Sequence, residues 1–470
     1  NPDNRDQYFH EGEWLNMKVK EEVFKIKGKP DTTVLVRSTH HGPVITGIHS
    51  LKPLNNDVLS MKWTGHWITS ELDAWVELTL MNNWEDFSNA LKKFGVPGQN
   101  IVYADVNGNI GWRPAVYIPI RNKGYSMAPR PGWDKSFEWS GYIPFDEMPY
   151  LYNPPEGYIS TANNKTIGNE FPYYISGLWA DPSRSSRIKE VLEEDKQFSL
   201  EEMKALQLDL TSNYSKEILP FILKNTGSYE NPVFERAIMF LKDWNHIESI
   251  DSEGTLIFHS ISNEIIRNIY YDELSVLGEK YFETYIGLKY ITKRNLRRIL
   301  KSHTNKWIDD IRTPTKIETI DEIITKSIES GIQKVVDSYG PNWSNWKWGS
   351  AHSLTHNHIL GDVKILNYLF NLNIGPFLSG GSDVTPNAGG YSLNKGFIQT
   401  SGASMRRIVD FSDLNRTNMI LPTGQSGMHD SPHYSDQAPL YHQGKYRVTY
   451  FNKDYIINSP DFEHLSLIPK

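Results

Sequence analysis

A chain of 470 residues with 39% hydrophobic and 22% charged residues can bury a large core and reads as globular. Its 49 basic and 56 acidic side chains leave a net charge of −7, which argues against an electrostatic nucleic-acid binder, since that would need a basic face. There is no cysteine, which rules out disulfides, thiolate zinc sites and a cysteine nucleophile. No apolar run nears the ~18–20 residues of a membrane span.

The first residue, Asn1, is not an initiator methionine, and no signal peptide precedes the polar opening. Any export signal is therefore expected upstream, and the chain is expected to be a processed or truncated piece of a longer protein. Residues 1–60 carry short β-prone runs, Phe24-Lys25-Ile26-Lys27 and Thr33-Val34-Leu35-Val36. Lys-Gly-Lys-Pro and His-Gly-Pro turns break them, which predicts antiparallel hairpins. From Ser70 to Phe94 the spacing of Leu72, Trp75, Val76, Leu80, Trp84, Phe87 and Leu91 predicts helix. A hairpin follows, with Asp105-Val106-Asn107-Gly108-Asn109 as the turn between Asn100–Ala104 and Ile110–Trp112. Residues 113–165 are rich in proline, glycine and aromatics, a composition of irregular segments that often line binding surfaces.

Between 180 and 340 the pattern is mostly helical, with a capping-box spacing at Ser199 and Glu202 and further helices expected near 233–245, 255–270 and 319–338. After Asn342 short strands and turns return, including Ser404–Phe411 and Asn418–Leu421. The chain thus reads as three regions: 1–180, a mainly helical lobe at 181–340, and 341–470. Strands at both ends around a helical stretch predict one α+β unit with a large helical insertion.

Several groupings can be read chemically. His352, His356 and His358, and separately His429, Asp430, His433 and Asp436, supply zinc-type ligands. Pro432 opposes the helix that would align His429 with His433, and polar turns are the plainer reading. Neither Gly402-Ala403-Ser404 nor Gly424-Gln425-Ser426-Gly427-Met428 completes a nucleophile elbow. Trp112, Trp133, Trp139 and Trp179 could stack on a sugar, with two of Asp134, Glu138, Asp146 and Glu147 as acid and base, a glycosidase alternative. In Gly157-Tyr158-Ile159-Ser160-Thr161-Ala162-Asn163-Asn164 an apolar run ends in two asparagines. A carboxamide there reads either as an oxyanion donor or as a turn.

Tyr103-Ala104-Asp105-Val106-Asn107-Gly108-Asn109-Ile110-Gly111 resembles a stretch of penicillin acylases. The motifs that follow resemble the family in the same order: Ile118–Arg121, Pro131-Gly132-Trp133, Trp139–Phe145 and Asn153–Ile159 leading into Asn163-Asn164. Gly402–Arg407, Leu421–Gly427 and Ser431–Gln437 resemble its closing motifs, so the resemblance runs from Arg37 to the C-terminus.

The resemblance implies an N-terminal-nucleophile hydrolase with an αββα sandwich, here partial, and the helical lobe inserted in it. It implies a zymogen that cuts itself into α and β subunits and frees a serine at the start of β. That serine attacks a linear amide, with its own α-amine as base. The resemblance makes Asn163 the oxyanion asparagine and Arg184 an arginine that orients the site; a helix-start salt bridge is the other reading of Arg184. No residue near the start resembles the serine-led β subunit, and Asn1 cannot supply the hydroxyl. The 470 residues alone are therefore expected to be inactive.

Further expectations are the α subunit as partner, a small N-acyl amide substrate and a periplasmic or secreted location. No cofactor is expected to be required. A structural Ca2+ belongs to the family, but its carboxylate from this region falls near Tyr173-Tyr174, where no acid stands. Noncatalytic scaffolding by a homologue is the remaining alternative.

Overall fold

Local signals explain where the elements begin and end. The helical spacing over 70–94 resolves into two helices, Glu71–Leu80 and Trp84–Leu91, because Met81 and Asn83 take extended backbone between them. The Asn83 side chain then accepts the Asp86 N–H and restarts the helix as its N-cap. Capping boxes start the helices Leu200–Gln207, at Ser199 and Glu202, and Ile320–Tyr339, at Thr319 and Glu322.

The computed structural model describes residues 1–48, 57–123, 125–194, 196–302, 305–460, 462 and 465–469. Part of the strand-rich region expected over 1–60 thus lies outside the described residues. The chain divides into two units: Asn1–Thr161 with Lys165–Trp179, and Ala162–Asn164 with Ala180–Lys470.

The first unit is built from hairpins. Gln7–His10 pairs with Glu13–Asn16, Lys18–Phe24 with Thr32–Thr39, and Pro119–Arg121 with Trp139–Tyr142. The predicted hairpin forms between Gln99–Ala104 and Ile110–Ala115. Asp105 closes it by accepting the N–H groups of Asn107 and Asn109. Phe87, Leu91 and Phe94 pack there with Tyr103 and Ala115 into a small core.

Helices dominate the second unit. Glu253–Val276 and Ile320–Tyr339 pack along each other. A Cβ on Gly331 would lie 2.8 Å from the Ile261 Cα, so only glycine permits that approach. Ile257, Ile261, Ile265, Ile324 and Ile328 fill the seam. Among the described residues three small antiparallel sheets follow, one of them ordered Arg406–Ile408, Thr417–Ile420, Arg447–Thr449. The mixed helix-and-sheet class is as expected.

Candidate active site at Asn163 and Arg184

Asn163 sits at φ +61°, in the left-handed region that asparagine tolerates better than most residues. Its carbonyl accepts the Ala180 N–H at 2.9 Å. Its side-chain Oδ1 accepts from Arg184 Nη2 at 2.8 Å, and the same nitrogen donates to the Ala162 carbonyl at 2.7 Å. Asn163 is exposed, and Arg184 is half-buried. Since a guanidinium only donates, Oδ1 must face the arginine. The Nδ2 amide hydrogens then form the end that the arginine does not hold.

Arg184 is the second residue of the helix Ser183–Leu192, and the start of that helix is tied down independently. The buried Asp181 carboxylate accepts the Ser183 N–H at 2.9 Å. Arg297 donates to Asp181 at 3.1 Å and to Ser183 Oγ at 2.8 Å. Arg297 thus makes the salt bridge at the helix start, and Arg184 makes none among the described residues. Its guanidinium is committed to the Ala162–Asn163 corner.

The other sequence groupings come apart. His352 stacks on Trp348 with ring centroids 4.6 Å apart, and its Nδ1 lies 2.6 Å from the Phe397 carbonyl. His356 Nε2 lies 3.2 Å from His442 Nε2, whereas His358 Nδ1 accepts the Leu360 N–H. His433 pairs locally with Asp436. Ser426 Oγ accepts the Met428 N–H in a turn.

An aromatic cavity of about 430 Å³ does lie in the first unit, lined by Trp63, Trp112, Trp139 and Trp179. None of Asp134, Glu138, Asp146 and Glu147 lines it, which disfavours the glycosidase reading. Tyr173 and Tyr174 offer phenols where calcium would need a carboxylate, and Tyr173 donates to Glu147. The residues at that position do not fit calcium.

One grouping escaped the sequence. His40 Nε2 lies 3.0 Å from Glu138 Oε1, His41 Nε2 contacts the same oxygen, and Lys62 Nζ donates to Oε2 at 2.6 Å. The His10 and His40 ring centroids are 4.3 Å apart. Burial alone would raise the Glu138 carboxyl, but hydrogen bonds from Lys62, His40 and His41 bring it down to about 2. Glu138 is therefore a fixed carboxylate and unfit as a general acid. The adjacent His40-His41 pair was the only local signal, because Glu138 lies 98 residues from His40.

The penicillin amidase family model matches residues 1–458. The chain is 25% identical over 463 residues to the acyl-homoserine lactone acylase QuiP of Pseudomonas syringae pv. syringae (strain B728a), covering 94% of this chain and 55% of that protein. It is 24% identical over 415 residues to the penicillin acylase 2 proenzyme of Pseudomonas sp. (strain SE83), covering 88% and 51%. A segment of 190 residues is 32% identical to the penicillin G acylase of Escherichia coli, covering 40% and 22%. The chain thus spans about half the length, 55% and 51%, of the relatives it matches along most of its own. Among solved structures, the thermostable penicillin G acylase from Alcaligenes faecalis in its orthorhombic form matches with a TM-score of 0.68. That match covers 100% of this chain and 85% of the other at 19% identity.

Proposed function

Because the chain belongs to the penicillin amidase family, we propose that its parent protein hydrolyses the linear amide bond of an N-acyl compound through an acyl-enzyme. The attacking hydroxyl is the N-terminal serine that the resemblance places at the start of the β subunit. Its α-amine, near-neutral in pKa, takes the proton. As the carbonyl carbon becomes tetrahedral, its oxygen gains a full negative charge. Asn163 meets that charge with its Nδ2–H, and Arg184 sets which end of the carboxamide is presented. The amine leaves with a proton, and water then attacks the acyl ester and frees the acid.

The Arg184–Asn163 hydrogen bond carries this reading. An arginine spent on the oxygen of a neutral, exposed amide orients its nitrogen, which is what an oxyanion donor needs. The relatives named as acyl-homoserine lactone and penicillin acylases put both N-acyl substrate types in scope. The α subunit cut from the same precursor is the expected partner. The cysteine-free chain suits an oxidising, periplasmic or extracellular setting, and no cofactor is required by this chemistry.

In the complete processed protein, Asn163→Ala is expected to lower kcat by about 100-fold or more with KM little changed. Turnover of either substrate type near the parent rate would remove Asn163 from the mechanism. If the residue after the cleavage site were not serine, threonine or cysteine, the chain would be a noncatalytic scaffold.

A further inference from the structure

We propose that His10, His40 and Glu138 form a binding site for a divalent transition metal, zinc foremost, in the first unit. One ligand atom from each of the three residues falls within 4.8 Å of the other two. Two imidazole nitrogens and one carboxylate oxygen are borderline donors that favour zinc over calcium or magnesium. A tetrahedral zinc with bonds of about 2.0–2.1 Å holds its ligands roughly 3.3 Å apart, and the 3.0 Å between His40 Nε2 and Glu138 Oε1 is already near that. A small inward shift of His10 completes three protein ligands, leaving water as the fourth.

The outer hydrogen bonds determine which nitrogens face the ion. His10 Nδ1 lies 3.1 Å from the Gly132 carbonyl, which can only accept, so the neutral ring carries its proton on Nδ1 and its lone pair on Nε2. Among the described residues, Nε2 has the Glu11 carboxylate as a partner at 3.9 Å. His40 Nδ1 lies 3.1 Å from the Tyr8 hydroxyl, whose oxygen accepts a hydrogen bond from the Nδ1–H when Nε2 turns to the metal. Carbonyl- and hydroxyl-backed imidazoles are the outer arrangement of zinc-binding histidines.

The backbone holds these groups in place. His10 ends the strand Gln7–His10, and Glu11 N–H donates to the Trp133 carbonyl beside Gly132. His40 stands at the corner between the strands Thr32–Thr39 and Gly42–Pro43. Gly42 allows that corner: it lies at φ +128°, and a Cβ there would meet the Met61 carbonyl at 2.3 Å. Side-chain exposures of 15%, 31% and 22% for His10, His40 and Glu138 leave room for an ion and its water to enter. Lys62 on Oε2 opposes a cation, so it sets the affinity rather than the ligand set.

Titration calorimetry of the metal-free complete processed protein with zinc chloride tests this. One saturable site is expected. His10→Ala and Glu138→Gln should each weaken it about 10-fold or more, and Lys62→Met should tighten it. His356→Asn, at the other close histidine pair, should leave it unchanged. Cobalt should give the visible d–d absorption of a four-coordinate ion, lost in His10→Ala. The proposal is overturned if no saturable site is found, or if zinc affinity is the same in Glu138→Gln as in the parent, or if it falls with His356→Asn instead. Circular dichroism establishes that each variant is folded, and either ligand variant suffices if the other is not. The outcome is independent of the acylase reading, since no step of that reaction passes through these residues.

Discussion

The two units each gather histidine with carboxylate and lysine, and they use the grouping in opposite ways. In the second unit His259 Nε2 lies 3.2 Å from Glu248 Oε1, with exposures of 1% and 0%. The His259 Nδ1 meets the Tyr391 hydroxyl at 3.0 Å, and Lys293 pairs with Asp383 close by. In the first unit His10, His40, His41 and Glu138 have the same chemistry but remain between 15% and 31% exposed. Burial decides the difference. Charges taken out of water need a partner at hand, as Lys293 and Asp383 have in each other, while groups left at the rim keep capacity for something from solution.

The comparison can be broken most sharply at Lys293. Lys293→Met leaves Asp383 buried without its partner and should destabilise the second unit by about 3–5 kcal/mol. The midpoint of urea unfolding, followed by far-UV circular dichroism, measures this. Recovery is expected when Asp383→Leu is added, since removing both charges removes the unpaired one. A single variant as stable as the parent would show the pair is not sealed from water.

The pH dependence comes next in size. Burial is the main cause that lowers His352 from 6.5 to about 4, and the nearby His259 adds to it. The folded state therefore resists a proton that the unfolded state accepts. That contribution is complete above pH 6.5 and is lost as pH falls towards 4, on the order of 3 kcal/mol at most. His442, also lowered to about 4 by burial and then by His356 and Arg406, titrates in the same window. Urea midpoints of the parent and of His352→Asn should converge as the pH drops from 7 to about 4; parallel curves would contradict the buried neutral imidazole.

The smallest effect belongs to the first unit. Glu138→Gln removes an ion pair with Lys62 that is about a fifth exposed on both sides, and it should cost only about 1 kcal/mol without metal. A loss as large as that at Lys293 would make the cluster a folding element like its counterpart, and the contrast between the units would vanish.

Much of this was legible along the chain. The capping boxes at Ser199 and Thr319 use partners three residues apart, and the hairpin closed by Asp105 uses partners two and four apart. Such contacts are written in short words of sequence. The ordered motifs around Asn163 likewise carried the family. The break at Met81–Asn83 was less visible, because apolar spacing continues through it and only the cap of Asn83 shows that a second helix begins.

The chemical groupings were legible only where their members are neighbours. His352, His356 and His358 are close in sequence, yet one is buried against Trp348, one faces His442 and one holds a turn. His259 and Glu248 belong to none of the groupings read along the chain, and the fold brings them within 3.2 Å.

By itself, then, the sequence determined the family, the mixed class, several helix starts and the candidacy of Asn163, because those depend on residue order over a few positions. Tertiary structure alone decided that Arg184 faces Asn163 across 21 residues, that Glu138 meets His40 across 98, and that Lys293 meets Asp383 across 90. The physical reason is that burial and distance belong to the folded chain, and both the strength of a charge and the freedom of a lone pair follow from them.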